Sequence, residues 1–335
     1  FETEMSLKGK TVLVLGLGES GLAMAQWLDR QGARVRVADS RNEPPFAAEL
    51  QRSAPGAVLM TGPFSEALID GAELIGLSPG LSLNEPVMAA AARRGLPVVG
   101  EIELFAGALR ELGAREQCKV IAITGTNGKT TTTALTGALC RAAGKVTAVA
   151  GNIGPAALSA LMTCLDAGKL PEVWVLELSS FQLETTASLA ADAAAVLNVS
   201  DDHMDRYAGL DDYAAAKARV FAGGGVQVLN RQDARVMAMA NAVSRRLTFG
   251  LDAPAGDEDF GIKEGWLMQG NERLLRTGEL AIAGLHNAAN ALAALALCRA
   301  IGLPLAPLLS ALREFRGLPH RVERGFEVDR LLVSG

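Results

Sequence analysis

Gly125-Thr126-Asn127-Gly128-Lys129-Thr130-Thr131 follows the apolar run Ile121-Ala122-Ile123-Thr124 and leads into a helical run from Thr132 to Ala143. A glycine turn between a strand and a helix N-terminus aims backbone N–H groups at phosphate oxygens. In that setting Gly125, Thr126, Asn127, Gly128 and Thr131 form a cradle. Lys129 neutralises β- and γ-phosphate oxygens, and Thr130 offers a hydroxyl to Mg²⁺. The chemistry is ATP binding. The two glycines stand closer together than the Gly-x-x-x-x-Gly-Lys-Thr pattern asks, so the turn is a shortened P-loop.

Other candidate groups follow the same kind of apolar run. Glu177 ends Val173-Trp174-Val175-Leu176, where a carboxylate beside a P-loop strand can hold Mg²⁺ or its water; alone it reads as a helix-capping acid. Asn198-Val199-Ser200-Asp201-Asp202-His203-Met204-Asp205-Arg206 sets a histidine among carboxylates. His203 is either a magnesium ligand or phosphate contact, or a solvated loop residue. Lys217 reads by pattern as a solvated lysine on a helix. Asn287 and Asn290 lie three residues apart, so they share one face at the start of an Ala/Leu helix; the pattern favours capping over reading a base. Arg321, after Pro319-His320, is either a surface arginine or a mobile cation that reaches ATP.

A second phosphate-type turn lies near the N-terminus. Gly16-Leu17-Gly18-Glu19-Ser20-Gly21 fits Gly-x-Gly-x-x-Gly between a strand and a helix, and Asp39-Ser40-Arg41 ends the next strand. Glycines there let the backbone approach a phosphate, and the acid can accept from a ribose hydroxyl. The alternative is a tight turn whose glycines serve packing alone.

These groups need a scaffold that brings strand ends together. Short Val/Ile/Leu runs at Thr11–Leu15, Val35–Ala38, Val58–Met60, Leu74–Leu77 and Val98–Val99 alternate with helical stretches, the rhythm of βα repeats on a parallel sheet. The rhythm restarts at Val120–Thr124, Val146–Ala150, Val173–Leu178, Ala193–Val199 and Val226–Asn230. Two α/β domains are expected, over 7–114 and 115–317. The first is a Rossmann-like parallel-sheet domain and the second a P-loop ATPase domain. From Leu247 to Ala283 shorter alternating segments read as antiparallel strands at a sheet edge. Helices are expected over Asn287–Ile301 and on to about Phe315. Residues 318–335 are too few for a core and read as the start of a third domain that is largely absent.

At 335 residues, 49% hydrophobic and 21% charged, the chain has the composition of a globular protein. Its net charge of −5 gives no basic face, so no nucleic acid is expected. The longest clean apolar run, Ala291 to Cys298, is too short to cross a membrane. The four cysteines are widely spaced and fit neither a zinc site nor a disulfide framework. A cytoplasmic monomer without a membrane partner is expected.

The ordered motifs Gly125–Thr130, Gly151-Asn152-Ile153-Gly154, Glu177–Leu183, Asp202–Arg206, His286-Asn287 with Asn290, and Gly317–Arg321 resemble the ATP-dependent Mur ligases of peptidoglycan synthesis. The wording Ser179-Ser180-Phe181-Gln182-Leu183 and Leu318-Pro319-His320-Arg321 resembles the D-glutamate-adding branch. The resemblance covers the chain from about Leu7 and implies three domains, for a uridine diphosphate, for ATP, and for closure over ATP and the amino acid. It implies that ATP phosphorylates the carboxylate of UDP-N-acetylmuramoyl-L-alanine and that the amine of D-glutamate displaces the phosphate. By position it assigns Lys129, Glu177, His203 and Lys217 to catalysis, and Gly125 to Thr131, Asn290 and Arg321 to ATP. Gly18, Ser20, Asp39, Ser40, Arg41, Ser78, Pro79, Gly80, Asn152 and His203 are assigned to the UDP-substrate. Two Mg²⁺ sites are implied, drawing on Thr130, Glu177, His203 and Lys217, the last as a carbamate. Glu19 departs from the pattern, an acid close to where a diphosphate would lie. An Asn-Asp-Ser-Lys-Ala-Thr motif expected beyond Gly335 is absent, so this chain alone is expected to bind the UDP-substrate with little turnover. The rival readings are a sibling Mur or folylpolyglutamate-type ligase, an NAD-dependent dehydrogenase, and a P-loop nucleotide switch.

Overall fold

A computed structural model describes residues 6–318. Of the expected site residues, Arg321 lies outside that range, as does most of the expected third segment.

The first sheet is wholly parallel. It contains β1 (Thr11–Leu15), β2 (Arg34–Asp39), β3 (Val58–Thr61), β4 (Leu74–Leu77) and β5 (Val98–Val99), in the order β3-β2-β1-β4-β5. Strand order reverses at β1, which lies between β2 and β4. In open α/β sheets ligands bind at the carboxyl ends of strands at such a reversal, and the Gly16–Gly21 turn leaves β1 there.

The second sheet has nine strands: β6 (Lys119–Thr124), β7 (Thr147–Gly151), β8 (Val173–Glu177), β9 (Ala193–Val196), β10 (Val226–Asn230), β11 (Arg246–Phe249), β12 (Phe260–Lys263), β13 (Trp266–Gln269) and β14 (Glu272–Arg276). Their order is β14-β13-β12-β11-β10-β9-β6-β8-β7, which puts β6 between β8 and β9. Register pairs Ile123 with Glu177 and Thr124 with Val196, while Gly151 pairs with Glu177. Four strand ends, those of β6, β7, β8 and β9, thus meet at one edge.

The expectation of antiparallel strands from Leu247 onward needs correction at its start. β11 runs parallel to β10 because the chain between them crosses over through the short helix Ala234–Met237, and the single pair of β11 with β12, reached through residues 250–259, is also parallel. Reversal begins at Glu264-Gly265, both at positive φ, a two-residue turn of the kind that matches strand twist. β9 also stops at Val196, short of Val199, which frees Leu197–Ser200 for contacts with the P-loop.

One apolar core runs across both sheets, joining Val12, Val14 and Met24 of the first to Val120, Ala122 and Trp174 of the second. Helix Glu101–Glu111 sits in that junction, with Phe105 edge-on to Trp174 at 4.9 Å between centroids. Its Glu101 is 3% exposed and accepts from the Leu158 N–H at 2.6 Å; burial pushes its carboxyl up to about 7. A second core lies under helix Leu285–Ala300, where Ala291–Cys298 are fully buried against helix Lys129–Ala142. Small alanine side chains permit that close approach. Among the described residues no helix is long and apolar enough to cross a membrane.

Candidate active site

The P-loop turn is shaped by two glycines at positive φ, Gly125 at 152° and Gly128 at 83°. Gly128 caps helix Lys129–Ala142 in the left-handed region, so the helix opens toward the carboxyl edge of β6. A Cβ on Gly128 would stand 2.6 Å from Asn290 Oδ1, which puts Asn290 against the loop. Asn290 donates to Asn287 Oδ1 at 3.4 Å, and Asn287 donates back to the Ala283 carbonyl at 2.8 Å. Neither asparagine caps the helix, whose N-cap is Gly284 without a side-chain hydrogen bond: Asn287 ties the first turn to the preceding Ala283 carbonyl, and Asn290 faces the P-loop turn.

Asn198 holds the other side. Its Oδ1 accepts from Asn127 N at 2.8 Å and its Nδ2 donates to Asn127 O at 2.9 Å, so one amide clamps one peptide of the turn. Thr126 Oγ1 accepts from Ser200 N at 3.0 Å and lies 3.2 Å from the Tyr213 hydroxyl. Lys129 Nζ donates to the carbonyls of Gly125 at 2.7 Å and Thr126 at 3.2 Å. Burial pushes its ammonium down, against the pull of Glu177 and Asp202.

Glu177 is 2% exposed. Its carboxylate accepts from Thr130 Oγ1 at 3.3 and 3.4 Å and from Asn152 Nδ2 at 3.4 Å, long contacts that leave room for a stronger partner. Burial raises its pKa, the response of an anion short of compensation. Gly151 is required beside it, since a Cβ there would meet the Glu177 carbonyl at 2.2 Å. The helix-capping alternative for Glu177 does not hold. Ser179 caps helix Ser180–Glu184, in a reciprocal pair with Gln182.

Lys217 overturns the reading from pattern alone. It is 1% exposed, on helix Leu210–Ala218, and donates to Gly125 O at 3.0 Å and Thr124 Oγ1 at 3.3 Å beneath the P-loop. Its Nζ lies 4.7 Å from the Tyr213 ring centroid. Burial, with the nearby Lys129 charge, pulls its pKa down to about 7. His203, half exposed at φ 54°, lies tilted against Phe181 at 4.7 Å between ring centroids and 6.4 Å from the Tyr213 ring. His203 and Lys217 thus abut the same tyrosine. Among the described residues no three His, Cys, Asp or Glu side chains converge on a metal position.

The first-sheet residues form a cleft of about 520 Å³. Gly18, Glu19, Ser20, Ser40, Arg41, Ser78, Pro79 and Gly80 line it, and so do Gly151, Asn152 and Gln182 of the second sheet. A single cleft therefore runs from the Gly16–Gly21 turn to Asn152, one side chain from Glu177. Asp39 is 2% exposed and its oxygens are already taken: they accept from Leu17 N at 2.8 Å, from Arg41 N and Nε at 2.9 Å, and from Arg41 Nη2 at 2.7 Å. The Arg41 guanidinium holds the carboxyl down at about 2. Asp39 shapes the turn and aims Arg41, leaving Ser40 and Arg41 to face the cleft.

A family model described as the Mur ligase middle domain matches residues 123–298, and one described as the Mur ligase MurD-like N-terminal domain matches residues 10–100. The chain belongs to the Mur ligase family. This Mur ligase is 56% identical to a UDP-N-acetylmuramoylalanine-D-glutamate ligase of Nitrosomonas europaea and 58% identical to one of Nitrosospira multiformis. Each match covers 96% of this chain and 69% of the relative. Its fold is also that of UDP-N-acetylmuramate:L-alanyl-gamma-D-glutamyl-meso-diaminopimelate ligase from Neisseria meningitides, with a TM-score of 0.61 at 17% identity over 93% of this chain and 99% of that one.

Sequence reasoning assigned no role to Asn198, Tyr213, Gln182 or Arg206. Asn198 carries a usable signal, a polar residue just past an all-alanine and valine strand at a sheet edge. Gln182 carries a local one, the Ser-x-x-Gln spacing of a capping box with Ser179, while the contacts of Tyr213 and Arg206 depend on packing between distant segments.

Proposed function

We propose that this Mur ligase is an ATP-dependent amide-forming enzyme that adds D-glutamate to UDP-N-acetylmuramoyl-L-alanine in peptidoglycan precursor synthesis. The observation that carries the reading is that the glycine turn of the first sheet and Asn152 of the second line one cleft, and that Asn152 donates to Glu177, the carboxylate that Thr130 of the P-loop also contacts. An enzyme that phosphorylates a carboxylate on a long nucleotide-linked substrate needs that arrangement, with the diphosphate anchored at one end and the acyl end at the γ-phosphate.

In this reading residues 7–114 hold the UDP moiety and 115–317 hold ATP. The glycine turn at Gly18 and Ser20, the Ser40-Arg41 pair and the Ser78-Pro79-Gly80 loop take the uridine diphosphate. Gly125 to Thr131 and Asn290 take ATP, with Lys129 placing positive charge on its phosphates. The substrate carboxylate forms a bond to the γ-phosphorus as the β–γ bridge breaks and ADP leaves. The D-glutamate amine then bonds to the acyl carbon, gives up a proton, and phosphate leaves with the carbon–oxygen bond.

The residues present suit Mg²⁺. Thr130 and Glu177 are hard oxygen donors in contact, and the buried carboxylate makes no ion pair among the described residues. They would hold the ion, which would supply charge stabilisation for the transferring phosphoryl group. A second site near His203 requires Lys217 as a carbamate. A pKa near 7 supports that, because only the neutral amine adds carbon dioxide.

Calorimetric titration of this chain with UDP-N-acetylmuramoyl-L-alanine and, in parallel, NAD⁺ tests the reading. Binding of the UDP-substrate without NAD⁺ is the expected result, and binding of NAD⁺ alone returns the first sheet to a dehydrogenase role.

A further inference from the structure

Arg206 follows β9 of the second sheet, yet its guanidinium donates into the first. Nη1 reaches the Pro79 carbonyl at 2.5 Å and Nη2 the Leu81 carbonyl at 2.9 Å, across more than a hundred residues of chain. The same Nη2 lies 3.2 Å from Glu184 Oε2, and the guanidinium carbon sits 3.8 Å over the Phe181 ring. The side chain is 13% exposed. A planar fork that spans two carbonyls while stacked on a ring is a task for arginine, since an ammonium offers neither the spacing nor the flat face.

Both ends of this contact belong to the site. Pro79 and Leu81 line the cleft, and Ser78 in the same loop donates to the Gly16 carbonyl at 2.9 Å, at the glycine turn itself. On the other side the Arg206 N–H donates to the His203 carbonyl at 2.9 Å, and His203 shares Phe181 with the guanidinium. One residue is therefore bonded to the loop walling the first-sheet end of the cleft and to the turn carrying His203.

We propose that Arg206 is a positioning residue for the UDP-substrate: it fixes the 78–81 loop at a set distance from the P-loop sheet, so that a ligand anchored on the first sheet presents its acyl end beside Asn152 and Glu177. This rests on the function proposed above. Arg206 touches no ligand in this role and acts through the backbone of Pro79 and Leu81. Its fixed positive charge adds to the cleft only at a distance.

The test is a pair of variants of this chain, Arg206→Ala and Arg206→Lys, titrated with UDP-N-acetylmuramoyl-L-alanine and separately with ADP, alongside amide hydrogen exchange over residues 78–85. Arg206→Ala should weaken the UDP-substrate by about tenfold or more while ADP affinity stays within about twofold, and Arg206→Lys should fall between. Exchange of the loop amides should quicken in the same order with the P-loop helix unchanged. Equal weakening of both ligands, or exchange that rises throughout the chain, would reduce Arg206 to a general stabilising contact and overturn the proposal. Unchanged UDP-substrate affinity in a folded Arg206→Ala would also overturn it. Should Arg206→Ala fail to fold, Arg206→Lys alone decides, by the same selectivity for one ligand. If the parent chain does not bind the UDP-substrate, the functional reading fails, and with it the positioning role; selective loop exchange would then show a structural clamp only.

Discussion

Lys217→Met replaces a buried amine by an apolar chain of similar length at a position 1% exposed. Folding moves this lysine from an ordinary 10.5 to about 7, chiefly by burial. Between those values the folded chain binds fewer protons here than the unfolded chain, so stability rises with pH across that window and is lowest below its lower edge. At about 1.4 kcal/mol per pH unit, the ionisation cost is about 4 kcal/mol at pH 7 and falls to about 2 kcal/mol at pH 9. Methionine carries no such cost, but it forfeits the bonds to Gly125 O and Thr124 Oγ1, worth about 1 kcal/mol each. The variant is therefore expected to be the more stable at pH 7, by about 2 kcal/mol, with the two chains nearly equal at pH 9. Urea unfolding followed by circular dichroism at several pH values, in buffer freed of carbon dioxide so that the amine stays unmodified, measures the gap. A gap that does not change with pH would refute the assignment of a depressed lysine. A variant less stable at every pH would mean that its two hydrogen bonds outweigh its ionisation cost.

Two further outcomes follow from the geometry. Asp39→Asn removes acceptor capacity from a carboxylate whose depressed pKa contributes about 2 kcal/mol, present above its unfolded value of 3.8 and lost only as pH falls through about 2; the variant should lose about that much stability at neutral pH by urea unfolding, and its UDP-substrate affinity should fall because Arg41 is no longer aimed. Gly128→Ala forces an L side chain into a backbone at φ 83° with a Cβ 2.6 Å from Asn290 Oδ1, a strain of about 1–3 kcal/mol; ADP affinity should drop by about tenfold in calorimetry while the UDP-substrate binds as before.

The parallel sheets were legible in the chain because strands covered on both faces must be apolar throughout, and Val173–Leu176 or Ala193–Val196 can be little else. The P-loop was legible because its turn needs glycine at two positive-φ positions and its phosphates need a lysine, all within a few residues. Local chemistry of that kind is written in adjacent residues. β11 was misread because crossover direction is decided by the connection and leaves no mark on a four-residue strand.

What the sequence by itself determined is the set of reactive groups and the strand and helix ends that carry them. Only the tertiary structure decided which of those ends meet. The placement of β6 between β8 and β9 brings Gly125, Glu177 and Asn198 to one edge, and the junction of the two sheets carries Asn152 into the first-sheet cleft. It also decided the state of the groups. Lys217 and Glu177 have the residue types of ordinary surface charges, and their shifted pKa values arise from the dielectric around them, a property of packing. Asp39, which spacing offers to a ribose, spends its lone pairs on its own loop because Arg41 and Leu17 fold back onto it. Arg206 stands in the Asp202–Arg206 motif, yet its part rests on a contact between segments that the chain order keeps far apart, which the motif does not disclose.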